Sequence, residues 1–168
     1  MAQVIPDGTD GGLHRMESNM KHVEEIGEKL DLNSKEVKDL YTLFNFDIFV
    51  LVDDSGSMLN VGMVDPHTGS QITRWTEAFN VLSEMCNILH YFDNDGIEIS
   101  FLNANDEDWD ENRKVTRFDE QVKNDISKIK VNGKTPTISK LTKLLKRINA
   151  KDDRSGLTGE DKRRNLVI

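Results

Sequence analysis

The feature that most constrains the fold is a short apolar run that ends abruptly in polar residues. The run, Phe46 to Val52, reads Phe-Asp-Ile-Phe-Val-Leu-Val and is almost unbroken apolar. A run of this length suits a strand that is covered on both faces, as in a parallel sheet. The next residues are Asp53-Asp54-Ser55-Gly56-Ser57. The fold therefore has to place an oxygen-rich loop at the carboxyl end of a buried strand.

Beyond this strand the sequence pattern alternates between helices and strands. We predict helices near residues 73–89, 118–130 and 137–149, and strands at residues 97–102, 114–117 and 165–168, with 114–117 at a sheet edge. Segments 59–73 and 150–164 are rich in turn-forming or charged residues and are predicted as loops. Such alternation is typical of an α/β fold with a doubly wound, mostly parallel sheet and helices on both faces.

The last predicted helix has an apolar face and a basic face. Five apolar residues at helical spacing are expected to face the core: Ile138, Leu141, Leu144, Leu145 and Ile148. Four basic residues are expected on the solvated face: Lys140, Lys143, Lys146 and Arg147.

The segment before the strand is predicted to be an extension with little to pack. Residues 1–18 are predicted as a flexible arm, because residues 7–12 hold three glycines and no large apolar side chain. Residues 19–45 are predicted as a helical extension of two short amphipathic helices. Asn33, with Glu36 three residues later, is expected to cap the second helix. The domain proper is then residues 46–168.

Composition excludes several classes of protein. Among 168 residues, 22 are Lys or Arg and 30 are Asp or Glu, so the formal net charge is −8. An acidic chain is a poor non-specific binder of nucleic acid. No apolar run approaches the roughly 20 residues of a membrane span, and residues 1–20 show no secretory signal. One cysteine, Cys86, excludes an internal disulfide and a multi-cysteine zinc site. A cytoplasmic protein is expected.

The loop after the strand carries candidate metal ligands. Asp53, Ser55 and Ser57 are spaced i, i+2, i+4 beyond a buried strand, where ligand sites of open α/β sheets lie. One carboxylate and two hydroxyls are hard oxygen donors of the kind that Mg²⁺ favours. Thr135, in Gly133-Lys134-Thr135-Pro136-Thr137, can supply a fourth oxygen from another loop. A glycine there lets the backbone come close.

The same residues also admit a simpler interpretation as helix caps. Asp53, Ser55 or Ser57 can accept backbone N–H groups at the start of a helix. Thr135 can likewise be an N-cap that is followed by proline at the first helical position. A capping role for Thr135 is compatible with ligation of a metal.

Two of these segments resemble a known family. Asp53-Asp54-Ser55-Gly56-Ser57-Met58 resembles the Asp-x-Ser-x-Ser motif of von Willebrand factor type A domains, and the strand before it resembles the first strand of that family. The segment 133–137 resembles the family's Gly-x-Thr-x-Thr segment. Arg74-Trp75, and the strand ending Phe101-Leu102-Asn103, are similar to an intracellular branch of the family. The resemblance covers residues 46–168.

The resemblance implies a metal-ion-dependent adhesion site. Its ligands would be Asp53, Ser55, Ser57 and Thr135, and its ion Mg²⁺ or Mn²⁺, with Ca²⁺ as a further candidate. A protein partner would complete the coordination with an Asp or Glu, no reaction would be catalysed, and Asp54 would point elsewhere. The family normally has a further aspartate after its fourth main strand, which here would follow residue 168. The resemblance therefore implies an incomplete domain.

The sequence is also compatible with two other functions, and it offers candidate partner contacts outside the metal site. A metal-dependent hydrolase would use the same ion as a Lewis acid. A structural interaction module would keep only a vestigial metal site. The acidic loop around Trp109 follows the second strand and should emerge on the same side as Asp53, as a partner contact, a lid or a solvated loop. Asp108 and Met58 are the other candidate partner contacts.

Overall fold

A computed structural model of the chain describes residues 10–93, 95–105, 107–154 and 164–168. The chain divides into two compact units, Met1–Phe44 and Asn45–Ile168. Over the described ranges, every helix is too short or too polar to cross a membrane.

The first unit contains two helices, α1 (Asp10–Lys29) and α2 (Ser34–Leu40), and a 3-10 turn follows at Tyr41–Asn45. The predicted cap of α2 is confirmed. The Asn33 carboxamide oxygen accepts hydrogen bonds from the backbone N–H groups of Lys35 and Glu36, at 3.0 and 3.1 Å. The Glu36 carboxylate in turn accepts the Asn33 N–H at 2.8 Å. Two backbone donors at the start of the helix are thereby satisfied.

The second half of the predicted arm, residues 1–18, lies in a helix. Helix α1 begins at Asp10 and continues through Gly11 and Gly12, while residues 1–9 lie outside the described part of the chain. Once a helix is nucleated, each further residue adds one hydrogen bond. A long helix can therefore extend through two glycines that, taken alone, indicate a flexible segment.

The second unit is an α/β fold built on a mixed sheet of four strands. The strands are β1 (Phe46–Val52), β4 (Ile97–Phe101), β5 (Lys114–Val115) and β6 (Arg164–Val167), and their order across the sheet is β5-β4-β1-β6. Strand β1 is parallel to β4 on one side and to β6 on the other, and β5 runs antiparallel at the edge beside β4. Strand β1 has the predicted bounds, and the α/β class is confirmed.

Helices lie on both faces of this sheet. They are α3 (Arg74–Leu89), α4 (Glu120–Ser127) and α5 (Thr137–Arg154). Helix α5 packs Leu144 and Ile148 against Phe49 of β1. On the other face, the ring of Trp75 at the start of α3 lies 6.2 Å from the ring of Phe101 in β4. Phe49 is paired with Glu98 across the sheet, and Phe101 lies three residues after Glu98. Side chains alternate along a strand, so Phe49 and Phe101 point to opposite faces, and α5 and α3 cover opposite faces.

Helix α5 differs from its sequence prediction in what it buries and where it ends. Leu144 and Ile148 are buried as expected, but Ile138 and Leu145 are 84% and 44% exposed. The apolar stripe of α5 is wider than the strip of sheet that it covers. The helix also continues to Arg154, where the charge pattern predicts a loop, and residues 155–163 lie outside the described residues.

The predicted loop 59–73 contains a β-hairpin. Strands β2 (Val61–Val64) and β3 (Gln71–Thr73) pair antiparallel. The turn between them is closed by two backbone hydrogen bonds, Asp65 N–H to Ser70 C=O and Gly69 N–H to Asp65 C=O, both 2.8 Å. The turn-forming residues that indicate a loop are concentrated in this turn, so the composition of the whole segment masks two short strands.

Candidate metal centre

The Asp-x-Ser-x-Ser segment lies where the strand order of the sheet changes direction. Its residues follow β1, and β1 has a parallel neighbour on each side. The chain reaches β4 through α3 and then crosses to β6 through α4 and α5. The connections to β4 and to β6 therefore lead to opposite sides of β1. Ligands of open α/β sheets bind at such points.

The three candidate ligands of this segment are held close together. The Asp53 carboxylate accepts a hydrogen bond from the Ser55 backbone N–H at 2.8 Å. The hydroxyls of Ser55 and Ser57 are hydrogen-bonded to each other at 3.1 Å. Ser55 is buried, Asp53 is half-buried and Ser57 is exposed. One carboxylate and two adjacent hydroxyls thus lie at one end of β1, a donor set of the type that hard divalent cations take.

The capping interpretation does not account for the serines. A short 3-10 turn, Gly56–Leu59, follows Ser55, and the Ser55 side chain makes no capping hydrogen bond to it. Ser55 is thus the N-cap by position, while its hydroxyl is directed to Ser57. An N-cap serine normally uses its hydroxyl to satisfy a backbone donor. The hydroxyl pair is therefore left for another role.

The loop that carries Thr135 reaches the same segment. The Gly56 N–H donates to the Gly133 carbonyl at 3.1 Å, and the Asn132 N–H donates to the Asp54 carbonyl at 3.0 Å. Thr135 follows Gly133 by two residues and is exposed. The segment that follows β1 and the segment that precedes α5 are thus joined by backbone hydrogen bonds.

Thr135 is not the N-cap of α5. The helix begins at Thr137, and the Pro136 carbonyl accepts the Lys140 N–H at 3.0 Å. That bond is the first of the helix, so Pro136 holds the cap position. Thr135 precedes the cap, and its hydroxyl belongs to the loop rather than to the helix.

Asp54, which lies between the candidate ligands in sequence, has a buried side chain that is hydrogen-bonded to residues after β4. It is 0% exposed. Its carboxylate accepts the backbone N–H groups of Asn103 and Ala104, at 2.7 and 2.8 Å, and the Asn103 side-chain amide at 3.0 Å. Asn103 and Ala104 follow β4, the parallel neighbour of β1. Parallel strands end at the same edge of a sheet, and that rule is the signal by which Asn103 can be found from sequence.

Trp109, one of the candidate partner contacts, has its ring buried in the protein. It is 3% exposed, and its indole N–H donates to the Ile99 carbonyl at 2.8 Å. Its ring stands edge-to-face on Phe101, with centroids 5.5 Å apart, and the Arg113 guanidinium lies 5.2 Å from its ring centroid. An aromatic ring that buries its body and satisfies its N–H is part of the core. Its five acidic neighbours in sequence indicate a solvated loop, so a core position is not evident from the sequence.

The other two partner candidates lie at the surface or near it. Asp108 is exposed and Met58 is half-buried. Asp108 lines a cavity of about 380 Å³ whose other lining residues include Glu107, Asp110 and Arg113. The segment after Met58, which leads into the hairpin, exposes a set of apolar side chains: Leu59, Val61, Met63 and Val64.

A second acidic cluster lies at the opposite end of the sheet. Asp47, Asp93 and Asp95 each place one carboxylate oxygen within 4.8 Å of the others, close enough to hold a cation. The cluster already has structural contacts, since Asp93 accepts the Ile48 N–H at 2.8 Å and Asp95 pairs with Lys114 at 3.0 Å. Burial raises the pKa of Asp95, but hydrogen bonds with Asp93 and Lys114 outweigh it and hold that pKa below its usual value.

Comparison with known proteins identifies no relative. No family model, no curated protein and no solved structure matches this chain.

Proposed function

We propose that the chain is a protein-binding module of the von Willebrand factor A type that binds a divalent cation through Asp53, Ser55, Ser57 and Thr135. In this proposal the sheet is a doubly wound one, and the cation binds an Asp or Glu of a protein partner. The observation that carries the proposal is the hydrogen bond from Gly56 N–H to Gly133 C=O, 3.1 Å long. It joins the two oxygen-bearing loops at the carboxyl end of β1.

The proposed ligands would leave a bound divalent cation with net positive charge, so the cation could still attract a carboxylate. Asp53 is the one charged ligand, and the other three ligands are neutral hydroxyls. A divalent ion bound by a single carboxylate retains net positive charge, and Mg²⁺ or Mn²⁺ in octahedral coordination keeps further positions for water or a partner. A carboxylate from another protein would both complete the shell and neutralise the charge. Ca²⁺ also takes oxygen ligands, with looser geometry.

The surface beside the site favours a protein partner over a small substrate. The segment that leaves the metal site exposes Leu59, Val61 and Val64 by 57%, 57% and 53%. Exposed large apolar side chains that group together mark interaction sites, and these three lie within six residues of the chain. A hydrolase would instead require a general base or nucleophile within reach of the ion.

Titration calorimetry with Mg²⁺ and Mn²⁺ tests the metal site. We expect the parent chain to bind and Asp53→Ala to lose binding, because the variant keeps only neutral ligands. Asp39→Ala is the matched control, since it removes the same charge from an exposed position of α2 and should bind as the parent does. A folded parent that binds neither ion, or an Asp53→Ala variant that binds equally, contradicts the proposal.

A peptide array tests the partner. The Mn²⁺-loaded chain is applied to immobilised peptides that contain Asp or Glu, and each positive peptide is remade with Asn or Gln. We expect binding that is lost with chelator and lost with the amide. Binding that survives both changes contradicts a carboxylate–metal contact and favours a module whose metal site is vestigial. Turnover of a phosphoester such as p-nitrophenyl phosphate by the Mn²⁺-loaded chain favours the hydrolase instead.

A further inference from the structure

The Asn103 side chain joins the loops that carry the candidate ligands. Its amide nitrogen donates to the Asp54 carboxylate and to the Lys134 carbonyl, both at 3.0 Å. Its backbone N–H donates to the same Asp54 oxygen at 2.7 Å. Asp54 lies between Asp53 and Ser55 in sequence, and Lys134 directly precedes Thr135. One side chain therefore links both halves of the proposed cation site, although it supplies no ligand itself.

The approach of the two loops is close enough to restrict which residues they contain. Gly133 has φ +82°, a conformation that L side chains rarely adopt. A Cβ built on Gly133 would lie 2.9 Å from the side-chain oxygen of Asn103. Asn103 thus uses both ends of its carboxamide at this point: the nitrogen donates to Lys134, and the oxygen fills the space beside Gly133.

We propose that Asn103 is a positioning residue for the metal site, which holds Thr135 at the cation by tying the Lys134 carbonyl to the buried Asp54 carboxylate. This inference rests on the function proposed above. Residues that orient metal ligands without touching the ion change metal affinity by about 10- to 100-fold when they are removed. The hydrogen bond from Gly56 to Gly133 joins two backbone groups, so it can form without the Asn103 amide. We therefore expect an effect near the lower end, about 10-fold.

A double-mutant cycle on Mn²⁺ affinity tests the inference. Titration calorimetry compares the parent with Asn103→Ala, Thr135→Ala and the double variant. We expect Asn103→Ala to bind Mn²⁺ about 10-fold more weakly than the parent. In the Thr135→Ala background the same change should have no further effect, because a residue that acts through Thr135 has nothing left to position.

The control for this cycle is Asn132→Ala. Asn132 lies in the Thr135 loop and contacts Asp54 through its backbone N–H alone among the contacts described, so that bond survives the change. The control should bind Mn²⁺ as the parent does. Thermal unfolding in chelator shows that each variant is folded. If Asn103→Ala is unfolded, Asn103→Ser replaces it in the cycle, since its hydroxyl can donate one hydrogen bond and not two.

The outcomes separate this inference from the function on which it rests. No Mn²⁺ binding by the folded parent overturns the proposed function and this inference with it. Binding by the parent together with unchanged affinity of Asn103→Ala overturns the inference alone. An equal loss of affinity in the parent and Thr135→Ala backgrounds also overturns it, because it shows that Asn103 acts independently of Thr135.

Discussion

Lys151 Nζ lies 2.7 and 2.8 Å from the two carboxylate oxygens of Glu98, whose side chain is 1% exposed in the middle of the sheet. Arg147 and Lys114 lie 3.5 Å from the same carboxylate. Glu98 thus ties α5 and the edge strand β5 to β4. Arg147 is shared with Glu111, at 3.2 Å, so the acidic loop after β4 is tied to the same helix.

Removal of Glu98 should destabilise the protein strongly. We expect Glu98→Ala to lower the free energy of unfolding by about 3 kcal/mol, because it empties a fully buried position in β4 and leaves the half-buried Lys151 without this carboxylate. Lys151→Ala should cost about 1 kcal/mol, since two other cations stay beside Glu98. Urea unfolding measures both, and Glu84→Ala, on the exposed side of α3, is the control. Equal effects of Glu98→Ala and Glu84→Ala would refute the role of the ion pairs.

The Arg113–Asp125 pair should make stability fall at acid pH. Hydrogen bonds from Arg113 and then Gln121 lower the pKa of Asp125 from 3.8 to about 2. A carboxyl with a depressed pKa in the folded state stabilises it above the unfolded value, and that contribution is lost as pH falls from about 4 to about 2. We expect the melting temperatures of parent and Asp125→Asn to differ above pH 4 and to converge as pH falls through 2. A difference that is constant over this range would contradict the prediction.

Two glycines with positive φ should respond differently to alanine. Gly69 has φ +69° and nothing within 4 Å of a built Cβ, so Gly69→Ala meets the backbone strain alone, about 1 kcal/mol. Gly133→Ala meets that strain and the contact with Asn103 in addition, and should cost about 2 kcal/mol or more. Chemical denaturation of the two variants measures the difference. Equal losses of unfolding free energy in the two variants would show that the loop can shift to accommodate a Cβ at Gly133, and would contradict the prediction.

Trp109 should contribute to stability and not to metal binding. Trp109→Phe keeps an aromatic ring and loses the hydrogen bond to Ile99, at a cost of about 1 kcal/mol. Trp109→Ala should cost roughly 3–5 kcal/mol. Unfolding measurements give both values, and calorimetry should show Mn²⁺ affinity within about twofold of the parent. A folded Trp109→Phe variant with lost metal affinity would instead place this loop in the site.

Cys86 should be unreactive in the folded protein. It is 1% exposed, and burial raises the pKa of its thiol to about 12. The thiolate is the reactive form, so both its scarcity and its burial slow modification. We expect Ellman's reagent at pH 8 to label the native chain far more slowly than the chain in guanidinium. Rapid labelling of the native chain would show that α3 opens readily.

Local patterns were sufficient where a short stretch of sequence contains its own partners. Asn33 and Glu36 cap α2 as predicted, because both halves of the capping box lie within four residues. Strand β1 was predictable because a run of apolar residues can be buried on both faces. The hairpin at residues 61–73 was not predicted, since its strands are only 4 and 3 residues long and fully or partly exposed.

The roles of Trp109, Ile138 and Arg147 depended on residues distant in sequence. Trp109 lies among acidic residues, yet β4 supplies the carbonyl and the ring that bury it. Ile138 has the spacing of a core residue, yet it lies 84% exposed. Arg147 was expected in solvent, yet it contacts Glu98 and Glu111. Spacing along a helix defines a stripe, but it does not say how much of that stripe a neighbour covers.

The sequence by itself determined the central strand, the capped helix and the identity of the oxygen donors that follow β1. These follow from periodicity and from hydrogen bonds between near neighbours, which any chain with these residues would form. Only the tertiary structure decided that the Gly133 loop meets the Asp53 loop and that Asn103 bridges them. The physical reason is that these hydrogen bonds join segments about 80, 50 and 30 residues apart in the chain, and only the packing of strands and helices brings such segments together.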